Sequence, residues 1–177
     1  MVRKTSIFLV YAIVFFLALI CFAPKSNMYY YLEHNIRSLG VGISSKRVTE
    51  RCMALKLGDT NLYYGSINGA YVKESDVKPF IVYNVIKLKD IELSSFASSF
   101  MPLHVDKIKA VYTISDPLNI RAKASGEFGD ADMTADLRTR VMHIVLRPSK
   151  IMLQKYAKSL KYLKRSKNGE YFYDKNF

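Results

Sequence analysis

The chain has 177 residues, with 27 Lys and Arg against 15 Asp and Glu, a formal charge of +12, thirteen tyrosines, no tryptophan and two cysteines. About 150 residues follow a leading apolar run, enough for one domain with a real core and too few for two comfortable ones. Of the two cysteines, Cys21 falls in the apolar run and Cys52 stands alone beyond it, which excludes a disulfide within the soluble part and reads Cys52 as a small buried apolar side chain.

The first predicted element is the apolar run Ile7 to Ala23 behind the tip Met1-Val2-Arg3-Lys4. Seventeen residues cover roughly 26 Å as a helix, and Thr5 and Ser6 extend it toward the ~30 Å hydrocarbon thickness. Twelve positions are Leu, Ile, Val or Phe, Ile7, Leu9, Ile13, Phe16, Leu17 and Ile20 among them. Each is worth about −0.3 to −0.6 kcal/mol near a helix centre. The competing reading, a cleaved signal peptide, has a poor exit. Cys21-Phe22-Ala23 offers the small residues, but Pro24 would follow the scissile bond. A lipoprotein reading of Cys21 meets bulky Leu19 and Ile20. Residues 1–24 are therefore expected to be a tip and an uncleaved anchor, inserted once. Arg3 and Lys4 keep the tip cytoplasmic, and the rest lies in the periplasm of a two-membrane cell.

Setting Arg3 and Lys4 aside, 25 basic residues face 15 acidic ones. Beside a bilayer such a surface attracts anionic headgroups. A chain exported past the membrane meets little nucleic acid, so phospholipid is the expected partner and nucleic acid is not.

From residue 25 to 40 the apolar positions Met28, Leu32, Ile36 and Leu39 recur at helical spacing, with Gly40 as the terminating residue. A juxtamembrane helix is expected, its Tyr29-Tyr30-Tyr31 cluster suited to the headgroup zone. An ordinary lid on the domain is the alternative.

Residues 41–177 are expected to be β-rich. Alternation is broken by turn signals at Gly58-Asp59, Asn68-Gly69, Lys78-Pro79, Asp116-Pro117, Gly126 and Gly129-Asp130. The clearest strands run through Ile108–Ile114, Ile120–Ala124, Ala131–Leu137 and Met142–Leu146, and short connections make neighbours antiparallel. Two of them present Ala122, Ala124, Ala131, Met133 and Ala135 on the dry face. Small residues leave a trough, and close packing demands an occupant: a helix of this chain, an acyl chain or a partner element. A helix over 149–165 supplies the first candidate, with Ser149 as N-cap and Leu153, Tyr156, Leu160 and Leu163 on one face. Its other face carries Lys150, Lys155, Lys158, Lys161 and Arg165, suited to lipid phosphate or to solvent. Asn168-Gly169 then turns into a last strand at Glu170-Tyr173.

Enzyme signatures do not show. His34, His104 and His143 are widely spaced, no zinc spacing occurs, and no phosphate loop or nucleophile elbow is present. No cofactor, metal or catalytic residue is expected.

An N-terminal anchor, Tyr29-Tyr30-Tyr31-Leu32-Glu33, Ser115-Asp116-Pro117-Leu118, Gly126-Glu127-Phe128-Gly129-Asp130, Ala135-Asp136-Leu137 and Leu146-Arg147-Pro148-Ser149 together give the chain an organisation. That organisation resembles the N protein of the type II (general) secretion pathway and, more loosely, the AsmA-like periplasmic lipid-transfer proteins. The resemblance implies a single-pass inner-membrane protein whose curved β-sheet handles lipid or contacts envelope and secretion components. The chain is shorter than typical members. The expected fold class is thus mainly β with flanking helices: a transmembrane helix, a twisted, curved antiparallel sheet, and a C-terminal amphipathic helix.

Overall fold

The computed structural model describes residues 2–37, 40–65, 67–80, 82–166 and 168–177, with side chains from Thr5 onward. The expected roles of the Arg3 and Lys4 side chains and of Leu39 lie outside the described residues. Helix α1 (Val2–Phe22) is followed by α2 (Lys25–Arg37), broken from it at Pro24, whose ring disfavours helical backbone at the residue before it. The segment Thr5–Phe22 is long and apolar enough to cross a membrane, and none of it is buried in the protein. Ile7, Leu9, Ile13, Phe16 and Leu17 all face outward, and Ile20 is half-buried. α2 ends where expected: Gly40 takes φ +77° and its amide donates to the Arg37 carbonyl at 3.0 Å.

Among the described residues ten strands follow: β1 (Val41–Arg51), β2 (Ala54–Tyr64), β3 (Ile67–Pro79), β4 (Tyr83–Leu93), β5 (His104–Thr113), β6 (Asp116–Gly126), β7 (Gly129–Asp136), β8 (Val141–Pro148), β9 (Lys164–Arg165) and β10 (Tyr171–Asn176). They form one antiparallel sheet in the order β1-β2-β3-β4-β5-β6-β7-β8-β10-β9, a meander with β1 and β9 as its edges. The four strands clearest in the sequence are β5 to β8. One register row runs Ile108, Ala124, Ala131, Leu146, so the apolar alternation shares one face. On the other face Lys123 opposes Asp132 at 3.4 Å.

In the first five strands the alternation changes phase along one line. Pairing is interrupted between Lys46 and Asp59, Asp59 and Lys73, Lys73 and Asp90, and Asp90 and Asp106, while the register on either side stays constant. Asp59 and Asp90 sit at φ +52° and +50°, conformations that Asp tolerates and β-branched residues resist. Each strand thus turns two consecutive residues outward. Leu57 and Thr60, Val72 and Ser75, and Leu88 and Ile91 then all serve the inner face. Outside, the line is charged: Arg47 pairs with Asp59 at 2.8 Å, Lys73 with Asp90 at 3.5 Å, and the Tyr71 hydroxyl donates to Asp59 at 2.6 Å. Gly58-Asp59 is therefore no turn but the crease itself. Asn68-Gly69 likewise lies inside β3, three residues past the actual hairpin at Gly65. Asp90→Val is expected to lower stability by about 1–2 kcal/mol through the left-handed backbone, and Asp90→Gly to be nearly neutral, as read by thermal denaturation.

The single helix expected over 149–165 is corrected. Ser149 does cap, accepting from the Met152 amide at 3.2 Å, but α3 (Lys150–Lys155) stops at Tyr156 and a separate turn, α4 (Ala157–Leu160), follows. Lys164 and Arg165 then pair with Phe172 and Tyr171, and the Arg165 guanidinium lies 5.9 Å from the Tyr171 ring centre. Strand pairing with β10 wins those residues from the helix. The Asn168-Gly169 turn holds, with Gly169 at φ +82°. Met152 and Leu160 close a core with Val72, Ile91, Val105, Phe128 and Leu146, while Leu153 stands exposed. A second core, Tyr29 with Leu55 and Leu57, lies under α2.

Candidate functional site

The junction between α1 and the sheet is built from the first turn of α2. Four amide donors at a helix start lack intrahelical partners. Here Glu50, near the end of β1, serves two of them: the Lys25 amide donates to Oε1 at 3.0 Å and the Ser26 amide to Oε2 at 3.2 Å, with the Ser26 hydroxyl donating as well. Those bonds, the Ser26 hydroxyl foremost, hold the Glu50 carboxyl below its usual range. The Lys25 side chain is buried, its ammonium donating to the Cys21 and Ala23 carbonyls at 3.2 Å and lying 3.9 Å from Glu50.

A disulfide between Cys21 and Cys52 completes the junction. It corrects the reading of Cys52 as a buried free thiol. Cys52 is exposed in the β1–β2 turn and bonds to the last turn of the apolar helix, a partner that is out of reach only if the anchor is treated as separate from the domain.

Because its folded pKa is depressed, the Glu50 cap contributes fully above about pH 4.3 and is lost as pH falls through the lowered value. Amide exchange at Lys25 and Ser26, taken relative to the intrinsic rate at each pH, should therefore be slow at neutral pH and rise on acidification. In Glu50→Gln it should be fast already at pH 7, and equal protection in that variant would contradict the cap.

Between α2 and strands β1 to β4 lies a cavity of about 730 Å³. Leu55, Leu57, Leu62, Val72, Val77, Ile86 and Leu88 form its floor, and Met28, Tyr29 and Leu32 its roof. The wall is almost wholly hydrocarbon. Asn27, Tyr29, Tyr31, Thr60 and Ser75 bring polar groups to its lining, with Lys25 at the end next to α1. The Tyr29 hydroxyl donates to Ser45 at 3.1 Å, Ser45 shares a 2.8 Å bond with Thr60, and burial pushes the Tyr29 phenol pKa up. Tyr29 thus fastens the roof to the floor instead of lying in a headgroup zone. Tyr30 and Tyr31 remain exposed.

The alanine face continues this same surface: Ile86 and Leu88 pair with Ala110 and Ile108, and these with Ala122 and Ala124. The chain's own segment covers its distal part, where Ala124 and Ala131 pack on the cluster containing Met152 and Leu160. Ala135 is buried, and Ala122 and Met133 are half-buried. Lys150, Lys155, Lys158, Lys161 and Arg165 are exposed, and the meander places them past the end of β8, at the opposite end of the sheet from Cys52. An eleven-residue strand spans roughly 35 Å, so these cations and the α1 junction occupy separate ends. Sequence reasoning missed the cavity because its roof and floor are built from α2 and from strands whose alternation the crease disrupts. The signal available was the run of Leu, Val and Ile at 55–62, 72–77 and 86–88.

Of the histidines, His143 contacts Asp174 and stacks on Phe172. His104 lies 3.2 Å from Asp106. Among the described residues no group of three His, Cys, Asp or Glu side chains is placed to hold a metal ion. Comparison with known proteins adds no relative: no family model, no curated protein and no solved structure matches this chain.

Proposed function

We propose that this chain is a non-enzymatic, single-pass envelope protein, its tip cytoplasmic and its sheet periplasmic, that takes lipid acyl chains into the cavity beneath α2. The observation that carries the reading is the cavity itself. Its volume of about 730 Å³ falls within the ~300–1,000 Å³ typical of ligand sites, and it lies directly beside the end of a helix of membrane-crossing length. A wall dominated by Leu, Val and Ile, with few polar groups among them, suits hydrocarbon. The Cys21–Cys52 bond supports an oxidising compartment for the sheet. Register shifts at Leu62/Tyr63 and Val105/Lys107 support the curved, twisted sheet that the secretion protein N and AsmA-like resemblance implies.

Burial of a methylene is worth about 0.8 kcal/mol relative to water, but a bilayer offers the same chain nearly as much. Transfer between bilayer and cavity is therefore close to balanced, which suits handing lipid on more than storing it. Native mass spectrometry of the full chain tests the proposal: a retained phospholipid or fatty acid is expected. Bare protein under conditions that preserve lipid on a control membrane protein would overturn it. The fragment from Lys25 onward is the wrong sample, since it lacks Cys21.

A second reading, a structural subunit of a secretion or envelope complex, is favoured by the sheet edge. β9 covers β10 only at Tyr171 and Phe172, leaving Tyr173–Asn176 open to strand addition. Cross-linking from Lys175 to a partner protein, with no bound lipid, would favour it.

A further inference from the structure

In an antiparallel meander every second turn lies at the same end. The β1–β2, β3–β4, β5–β6 and β7–β8 turns and the C-terminus of β10 therefore form one edge, the edge to which Cys52 ties α1. Each carries an exposed apolar tip: Met53 at 45%, Val82 at 60%, Ile114 at 58%, Leu137 at 40% and Phe177 at 58% exposure. Polar residues are the normal choice for turns, so five apolar tips in register need a reason. The charges beside them are sorted. Arg51, Arg138 and Arg140 are exposed, whereas the side-chain carboxylates Glu50, Asp116, Asp136 and Asp174 have partners within the fold: Glu50 caps α2, Asp116 accepts from Asn119 and Arg121, Asp136 accepts from the Arg138 and Thr139 amides, and Asp174 contacts His143.

We infer that this edge of the sheet rests on the lipid bilayer, its five apolar tips dipping into the interface and its arginines at phosphate level. Two facts choose this occupant. The edge is covalently continuous, through Cys52 next to Met53, with the end of the apolar helix, so a bilayer crossed by α1 is necessarily within reach. Apolar tips with exposed cations and internally paired acids form the pattern that anionic interfaces select. The cavity reaches the same side, since Lys25, Leu55 and Pro79, at or near this edge, belong to its lining. Acyl chains then pass from leaflet to cavity without crossing water. The opposite edge also exposes Tyr64, Ile67, Phe96 and Phe100, but lies a full strand length away.

The inference rests on the reading of α1 as a membrane span, and its test separates the two. The chain has no tryptophan, so single-tryptophan variants of the full protein in phospholipid vesicles are clean probes. Ile114→Trp and Leu137→Trp should lose at least half their fluorescence to phospholipids brominated on the acyl chain, and Phe96→Trp should keep it. Phe16→Trp reports on α1. If Phe16→Trp is quenched and the two turn variants are not, the docked edge is wrong while the span stands. If Phe16→Trp is unquenched, the span itself fails. Equal quenching of Phe96→Trp and Ile114→Trp would also overturn the proposal, because the sheet would then lie flat on the bilayer.

Discussion

Cys52→Ser is expected to lower the melting temperature of the full chain by roughly 10 °C. The bond closes a loop across a sequence separation of 31, and loop-closure entropy for that length gives about 3–4 kcal/mol, at about 2–4 °C per kcal/mol for a chain of this size. The effect should be larger on α2 than on the distal strands, because the disulfide and Glu50 hold the same corner. Cys21→Ser should match Cys52→Ser, and the double variant should add nothing, since one bond is lost in all three. Thermal unfolding with thiol labelling reads the result. Two free thiols in the wild-type protein purified without reductant, or an unchanged melting temperature in Cys52→Ser, would contradict it.

Narrowing the cavity gives the second large effect. Leu32→Trp with Ile86→Trp brings bulk in from roof and floor at side chains that are about half exposed, so neither ring is forced into a packed core. Retained lipid should fall at least tenfold by native mass spectrometry, while the melting temperature moves by only a few degrees. Ala124→Phe acts differently. Ala124 packs on the Met152–Leu160 cluster, and overpacking such a site costs about 1–3 kcal/mol. Loss of lipid in Ala124→Phe with full stability and an intact α3–α4 cover would place the ligand in the alanine trough instead of beneath α2.

The contrast between these two regions shows what the residues disclose before folding. β6 to β8, and β5 from Ile108 onward, are legible because Ile108, Ala124, Ala131 and Leu146 share a face through unbroken alternation. β1 to β4 are not, since a left-handed Asp59 or Asp90 turns two neighbours outward, and Gly-Asp then reads as a turn. The length and polarity of α1 need no tertiary information, and its membrane-crossing dimensions follow directly. α2 is legible as a helix and only partly in its rotation: Met28 and Leu32 roof the cavity, but the buried residues are Lys25 and Tyr29, one position along, where the Lys25 ammonium lies near Glu50 and the Tyr29 hydroxyl donates to Ser45. The C-terminal helix fails for a non-local reason, since the pairing of Lys164 and Arg165 with β10 depends on a strand still to come. The disulfide needs the anchor and the first hairpin to be brought together, which spacing alone does not reveal.

Lipid entering the space under α2 is measured directly by cross-linking. The full chain, reconstituted with a phospholipid bearing a diazirine near the acyl terminus, is irradiated and its adducts are mapped by peptide mass spectrometry. Adducts on Leu57, Leu62, Val72 and Leu88, beside those on α1, are the predicted result. Adducts confined to α1, with the cavity residues unmarked at every lipid concentration, would contradict it.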